Sequence, residues 1–254
     1  MKPFLILYFS AVGNTKSVAK LVHKQAKSVG NCEIYSLDEM PDSFDINNYS
    51  AIIIGFPTYH SQPAKPMVNF IKSINPNKKI PAFIYTTCGL CSENSLRSFA
   101  KICLKNKIIP IHHASYRCSA TDGILFAPFV KFLFTPEKNI RVKIEKDFEK
   151  FNIKLKSHSK VDVPRIKWYT PINYPNKMIG KNITLSIYLN KDKCTMCGMC
   201  KKNCPAKTIS IDSGYPIINK DMCLNCYRCI HHCPSMALSL YKNKSVTKVW
   251  SDTI

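Results

Sequence analysis

A chain of 254 residues has room for one ordinary domain and a small second one. Its 37 lysines and arginines face only 16 acids, and the formal charge of +21 is spread along the chain (27 against 12 in residues 1–185, 10 against 4 in 186–254), which excludes a basic tail. A field of that sign draws acidic proteins, anionic lipid or nucleic acid alike, so charge alone selects no partner.

The chain opens on an apolar strand, Pro3 to Phe9, too short for the apolar core of a signal peptide. No apolar run is long enough to cross a bilayer. Ser10 to Thr15 then form a small polar loop, and Val18, Leu21, Val22, Ala26 and Val29 recur at helical spacing behind it. A strand, a polar loop and a helix N-terminus together make an anion site, because free N–H groups and the helix dipole point at the ligand. Residues 31–37 and 50–55 read as further strands, the second a continuous apolar run as in a buried parallel strand. Met67, Phe70, Ile71 and Ile74 stripe a second helix. A strand over 80–86 is followed by a third helix on Leu96, Phe99, Ala100, Cys103 and Leu104. After a fifth strand over 108–116, Thr135-Pro136-Glu137 is expected to cap a last helix striped by Ile140, Ile144, Phe148, Phe151 and Leu155. Alternating strands and helices imply a doubly wound, five-stranded parallel sheet with ligands at the carboxyl ends of its strands.

Over residues 1–156 this pattern resembles flavodoxin-like FMN proteins. Their phosphate loop, Ser/Thr-x-Thr-Gly-Asn-Thr, is matched by Ser10, Gly13, Asn14 and Thr15, with Ala11 between them and Val12 in place of a hydroxyl. The resemblance implies FMN as cofactor. It places Pro57, Thr58, Tyr59 and His60 on one side of the isoalloxazine, with Tyr59 stacking, and Thr86, Thr87, Cys88 and Gly89 on the other. The second aromatic common in small flavodoxins has no counterpart near Gly89, which implies one open flavin face. Cys88-x2-Cys91 lies between a strand and a helix, where a helix N-terminus lowers thiol pKa values, although a redox role is the weaker reading.

Gly123 to Phe134 is apolar and aromatic; it is expected to pack on the sheet or on the second domain, with an interfacial membrane contact as the rival. Residues 157–184 are basic and carry prolines, the composition of a linker, with Trp168 and Tyr169 as anchors. His112-His113 and His231-His232 are expected at or beside element ends; for His231 and His232, which sit inside the second cysteine motif described below, a solvated role is expected, with tuning of a cluster potential as the rival.

Residues 185–254 contain one cysteine pattern twice: Cys194-x2-Cys197-x2-Cys200-x3-Cys204-Pro205, and Cys223-x2-Cys226-x2-Cys229-x3-Cys233-Pro234, offset by 29 positions. Structural zinc favours separated pairs or mixed Cys/His sets, and a disulfide framework belongs to short secreted chains. Three thiolates on one short loop suit three irons of a cubane, and in this spacing the fourth cysteine serves the other copy's cluster. The expectation is one [4Fe–4S] cluster on Cys194, Cys197, Cys200 and Cys233, and another on Cys223, Cys226, Cys229 and Cys204. Pro205 and Pro234 fit the first turn of a helix. Thr208 to Ile211 and Tyr215 to Ile218 read as a hairpin around Asp212-Ser213-Gly214. This small α+β unit resembles bacterial two-cluster ferredoxins, and the whole chain resembles the fused flavodoxin–ferredoxin proteins of anaerobic microbes.

The expected function is electron transfer between two clusters and FMN, with acidic redox proteins as partners, in a reducing cytoplasm. A flavin-dependent reductase of a quinone or nitro compound is the enzymatic alternative, resting on the open flavin face. A basic binding module with vestigial redox parts is the third. No nucleic-acid-recognition motif accompanies the charge.

Overall fold

The computed structural model describes residues 2–119, 135–167 and 187–240. In chain order its first half contains β1 (Phe4–Tyr8), α1 (Asn14–Lys27), β2 (Cys32–Ser36), β3 (Ala51–Tyr59), β4 (Gln62–Pro63), α2 (Lys65–Ser73), β5 (Ile80–Cys88), α3 (Ser95–Lys105), β6 (Ile108–Arg117) and α4 (Ile140–Lys156). Five strands are parallel, in the order β2-β1-β3-β5-β6. A sixth, β4, is a two-residue antiparallel strand on β3, absent from the five-stranded expectation. The chain turns to opposite flanks of β1 at the β1–β3 pair, and open α/β sheets bind ligands outside the carboxyl ends of the strands at such a switch point.

Side chains alternate across the sheet, so one set of strands feeds two cores. Leu5, Leu7, Ile52, Ile54 and Ile84 meet Met67 and Ile71 of α2 and Leu96, Phe99, Ala100 and Cys103 of α3. Ile6, Ile53 and Phe83 meet Val18, Val22 and Ala26 of α1 and Ile140, Ile144, Phe148 and Phe151 of α4 on the other face. This is why the central strands read as unbroken apolar runs.

Several local readings need correction. Helix α1 stops at Lys27, leaving Val29 outside it and 48 % exposed. Thr135-Pro136-Glu137 is not the N-cap of α4, which starts after Asn139, in the left-handed region at φ 58°. Glu137 instead accepts the Arg117 N–H (3.1 Å) and pairs with Lys143 (3.0 Å), closing the connection between β6 and α4. His112 and His113 lie in the middle of β6, not at its end. His112 is 7 % exposed and meets Asp147 at 3.2 Å, whose other oxygen accepts from the Tyr116 hydroxyl at 3.1 Å.

The described part of the expected linker is a fixed strap. β6 is the edge strand, where Pro110 costs no ladder bond. The Pro110 carbonyl accepts the Asp162 N–H (2.8 Å), Asp162 pairs with Lys154 (2.7 Å) and His113 (3.2 Å), and Arg97 donates to the Pro164 carbonyl (2.7 Å). The anchors Trp168 and Tyr169, and the apolar stretch 123–134, lie outside the described residues.

The second half holds β7 (Tyr188–Leu189), α5 (Met199–Lys202), β8 (Ile209–Asp212), β9 (Tyr215–Ile218), α6 (Arg228–His231) and β10 (Leu238–Ser239). The 29-residue repeat extends to the backbone. Left-handed residues recur in register, Met196 with Asn225, Gly198 with Tyr227 and Lys207 with Met236. The two copies also exchange bonds: Asn190 N–H donates to the Ala237 carbonyl (2.8 Å), and Asn219 N–H to the Thr208 carbonyl (2.9 Å). In the same sense β7 pairs β10 and β8 pairs β9. Pro205 and Pro234 sit in turns after α5 and α6, not in a helix, since proline follows a helix end readily but cannot continue the helix. His231, expected in solvent, ends α6 and is 4 % exposed.

Candidate cofactor sites

At the switch point the loop from Ser10 to Thr15 leads into α1. Gly13, its N-cap, has φ 100°, which only glycine adopts freely, and its N–H is held by the Ser10 hydroxyl at 2.9 Å. The first N–H groups of a helix have no intrahelical partner, and no acid stands in the first turn of α1 to compete with an anion. The loop is pinned from three sides. Asn14 donates its amide to the Ser119 carbonyl (2.8 Å), the Thr15 and Thr87 hydroxyls meet at 2.8 Å, and the Tyr85 hydroxyl donates to the Thr15 carbonyl (3.3 Å). Gly55 makes room for that last contact, since a Cβ there would lie 2.1 Å from the Tyr85 ring.

A cleft open to solvent lies beside this loop. It is lined by Ser10, Ala11, Val12, Asn14, Thr15, Pro57, Thr58, Tyr59, His60, Thr87, Cys88 and Gly89, and by Ser119 and Asn225. His60 (φ 45°) and Ser61 (φ 62°) make the two-residue left-handed turn between β3 and β4, with Tyr59 and His60 at the cleft. Gly13 is absent from the lining, acting through loop geometry. Thr86 is absent because it points to the opposite face of the sheet from Thr87. It is fully buried, donates to the Phe56 carbonyl (2.9 Å) and meets the Thr58 hydroxyl (2.8 Å). The set suits a phosphate monoester at α1 and a flat aromatic system beside Tyr59.

Two cleft residues escaped the sequence reading. Ser119 follows β6, beyond the strand ends that the pattern picked out. Asn225 comes from the second cysteine loop, where the first copy has Met196; that polar exchange within the repeat was its only trace in the sequence. The second loop reaches the cleft because it packs on the sheet domain. Leu224 and Cys226 join the core on the α2/α3 face, and Arg228 faces Asp38 at 3.9 Å.

The structure gathers the cysteines crosswise. Cys194, Cys197, Cys200 and Cys233 line one cavity, walled by Met196, Met199, Pro216 and Leu238. Burial raises the Cys200 thiol, and the charges of Cys233 and Cys197 add to it. In the other set, burial pushes Cys226 up to about 12 and raises Cys223 and Cys229, and the nearby charge of Cys204 raises all three further. Cys197 differs: the Met199 N–H and the Thr195 hydroxyl favour its thiolate and lower its pKa. Backbone N–H groups also reach the fourth cysteines, from Thr208 to Cys204 Sγ (3.5 Å) and from Ala237 to Cys233 Sγ (3.3 Å). Thiols buried at mutual electrostatic cost are natural ligands, since metal binding supplies the positive charge that their ionised forms lack. Among the described residues, no three His, Cys, Asp or Glu side chains converge on a point fit for a single ion.

Cys88 and Cys91 show the opposite of an activated pair. Burial pushes Cys88 up to about 11, and burial with the neighbouring Glu93 raises Cys91. The expected lowering fails because α3 begins only at Ser95, and a carboxylate stands beside Cys91 instead. No helix among the described residues is long and apolar enough to cross a membrane.

Comparison with known proteins follows this division. A flavodoxin domain model matches residues 5–114, and a 4Fe–4S dicluster domain model matches residues 186–234. Similar solved structures include a flavodoxin from the domain Archaea (14 % identity, 61 % of this chain and 99 % of that one, TM-score 0.46). Flavodoxin 1 of Bacillus cereus gives 14 % identity over 59 % of this chain and 97 % of that one (TM-score 0.45). Rubredoxin oxygen:oxidoreductase of Desulfovibrio gigas gives 12 % identity over 62 % and 37 % (TM-score 0.45). No curated protein sequence matches the chain. The chain therefore joins a flavodoxin domain to a 4Fe–4S dicluster domain, the architecture of the fused flavodoxin–ferredoxin proteins, and is an electron-transfer protein of flavin and iron–sulfur type.

Proposed function

We propose that the protein carries electrons between two [4Fe–4S] clusters and one FMN. Cys194, Cys197, Cys200 and Cys233 hold one cluster, and Cys223, Cys226, Cys229 and Cys204 the other. The Ser10–Thr15 loop takes the FMN phosphate, and Tyr59 takes a face of the ring. When bound, clusters supply one-electron steps and a flavin supplies one- or two-electron chemistry. The residues supply position. Asn14, Thr15 and Tyr85 fix the loop, the 157–167 strap ties the start of the linker to β6, and apolar packing at Leu224 keeps water from the contact between the halves.

One observation carries the reading: the second cysteine loop packs into the core next to the cleft, so the two redox sites share a wall. An acidic protein is the proposed partner. Lys191, Lys193, Lys201, Lys202 and Lys207 are exposed around the first loop, whose Cys197, Met196 and Met199 also face solvent.

Anaerobic purification with iron, sulfide and flavin analysis tests the cofactors. About eight irons and one FMN per chain are expected for two cubanes and one flavin. A chain with four irons, or one unable to take up FMN, refutes the assignment. Stopped-flow reduction by a low-potential donor, comparing the intact protein with a Cys226→Ala variant, tests the route; equal rates of flavin reduction would separate the halves.

A further inference from the structure

Asn225 is the one residue of the iron–sulfur half that lines the cleft at the flavodoxin switch point, among the described residues. It is 6 % exposed, and its side-chain oxygen is buried with no hydrogen-bond partner. A buried amide oxygen left unpaired costs about 1–3 kcal/mol, so a native structure keeps one where a ligand or an ordered water completes it. The backbone shows that the position is built. Asn225 sits at φ 52°, a left-handed conformation that asparagine tolerates better than most side chains, and its N–H reaches Cys223 Sγ at 3.5 Å. Its repeat partner Met196 has the same backbone twist (φ 53°), yet its side chain is 51 % exposed. The loop geometry therefore belongs to both copies, and the polar side chain only to the copy that faces the cleft.

We propose that Asn225 is a flavin-binding residue contributed by the iron–sulfur half, pairing with the imide edge of the isoalloxazine, and that it fixes the second cysteine loop as the one next to the flavin. This rests on the reading of the cleft as an FMN site. The chemistry selects the ring edge. A carboxamide offers a carbonyl and an N–H side by side, and an imide presents an N–H between two carbonyls, so both amide groups are satisfied at once whichever way the amide is turned. A phosphate, by contrast, offers only acceptors and leaves the amide oxygen unpaired.

The test uses the full-length protein with its clusters intact, stripped of flavin under anaerobic conditions and titrated with FMN or riboflavin by quenching of flavin fluorescence. Asn225→Gly removes the side chain while keeping the left-handed backbone relaxed. It should weaken both ligands by about tenfold, by the same factor for each, as expected for one lost buried contact, with iron and sulfide content unchanged. Met196→Gly at the matching position should leave flavin affinity within twofold. Equal affinity in wild type and Asn225→Gly overturns the proposal while the FMN reading stands, and so does a loss seen for FMN but not riboflavin, which would place Asn225 at the phosphate. A wild-type protein that binds neither flavin refutes the FMN reading itself, and the proposal with it. If Asn225→Gly loses iron, Asn225→Asp, which keeps the shape and tolerates the same backbone, takes its place: an added charge and lost N–H donors should weaken riboflavin by at least the same factor, and unchanged binding overturns the proposal.

Discussion

The two cysteine loops share every ligand position and every left-handed backbone residue, yet they stand in different surroundings. In the first, Thr195 and Met196 are exposed, Cys197 is exposed, and Gly198 opens α5. In the second, Leu224 packs on the sheet domain, Asn225 lines its cleft, and Cys226 and Tyr227 are buried. A repeat thus fixes the shape of the loop, and the side chains between the ligands decide which copy meets the partner domain and which meets solvent. One loop faces outward to solvent, and the other inward to the cleft of the sheet domain.

The comparison breaks most visibly at the cysteines. Cys226→Ala and Cys197→Ala should each cut iron to about half, since each removes a ligand of one cubane. Only Cys226→Ala should also weaken FMN binding, as its loop walls the cleft; equal effects on flavin titration would erase the distinction. Next in size is a charge placed between the ligands. Leu224→Asp buries a carboxylate against the core and should cost about 3 kcal/mol in anaerobic urea melts, whereas Thr195→Asp at the matching exposed position should stay within about 0.5 kcal/mol. Gly198→Ala should cost about 1 kcal/mol, because φ 69° suits glycine and strains alanine.

Acid should loosen the strap that leads toward the second half. Burial, partly offset by Asp162, holds the His113 pKa below its usual value, so the folded state favours the neutral ring. That contribution is complete above the unfolded value of about 6.5 and is lost as pH falls through the lower folded one. For Asp162 burial raises the pKa, but Lys154 and His113 outweigh it and the net shift is downward, so its contribution is lost at lower pH still. Melting temperature should fall from about pH 6.5 downward, and His113→Gln should flatten the first part of that fall. The smallest effect belongs to Asp38→Ala: the pair with Arg228 is long and half-exposed, so less than about 1 kcal/mol should be lost in the same melts.

Much of this was legible because it is periodic. The apolar runs at β1, β3 and β5, the stripes on α1 to α4 and the 29-residue cysteine offset are each set by local geometry, and they fix the order of elements and the candidate ligands. What resisted was set by facing or by distance. Thr86 and Thr87 are adjacent, but a strand sends neighbours to opposite faces, so one reaches the cleft and the other the core. Thr135-Pro136-Glu137 has the composition of a helix start, yet Glu137 is committed to Arg117 and Lys143. Asn225 reaches the cleft through packing between halves far apart in sequence, which no window of neighbouring residues encodes.

The exchange of backbone bonds between Asn190 and Ala237, and between Asn219 and Thr208, bears on the order in which the protein is made. A chain emerging from the ribosome makes its first domain early, and residues 2–119 carry all six strands of that sheet. The first cysteine loop, although synthesised before the second, lacks part of its cavity wall until Cys233 and Leu238 have emerged. At about 5–20 residues per second, Cys194 waits for several seconds as part of an open, thiol-rich strand. Both halves of the repeat then close on each other, so neither set of four cysteines is complete until the second copy has been made.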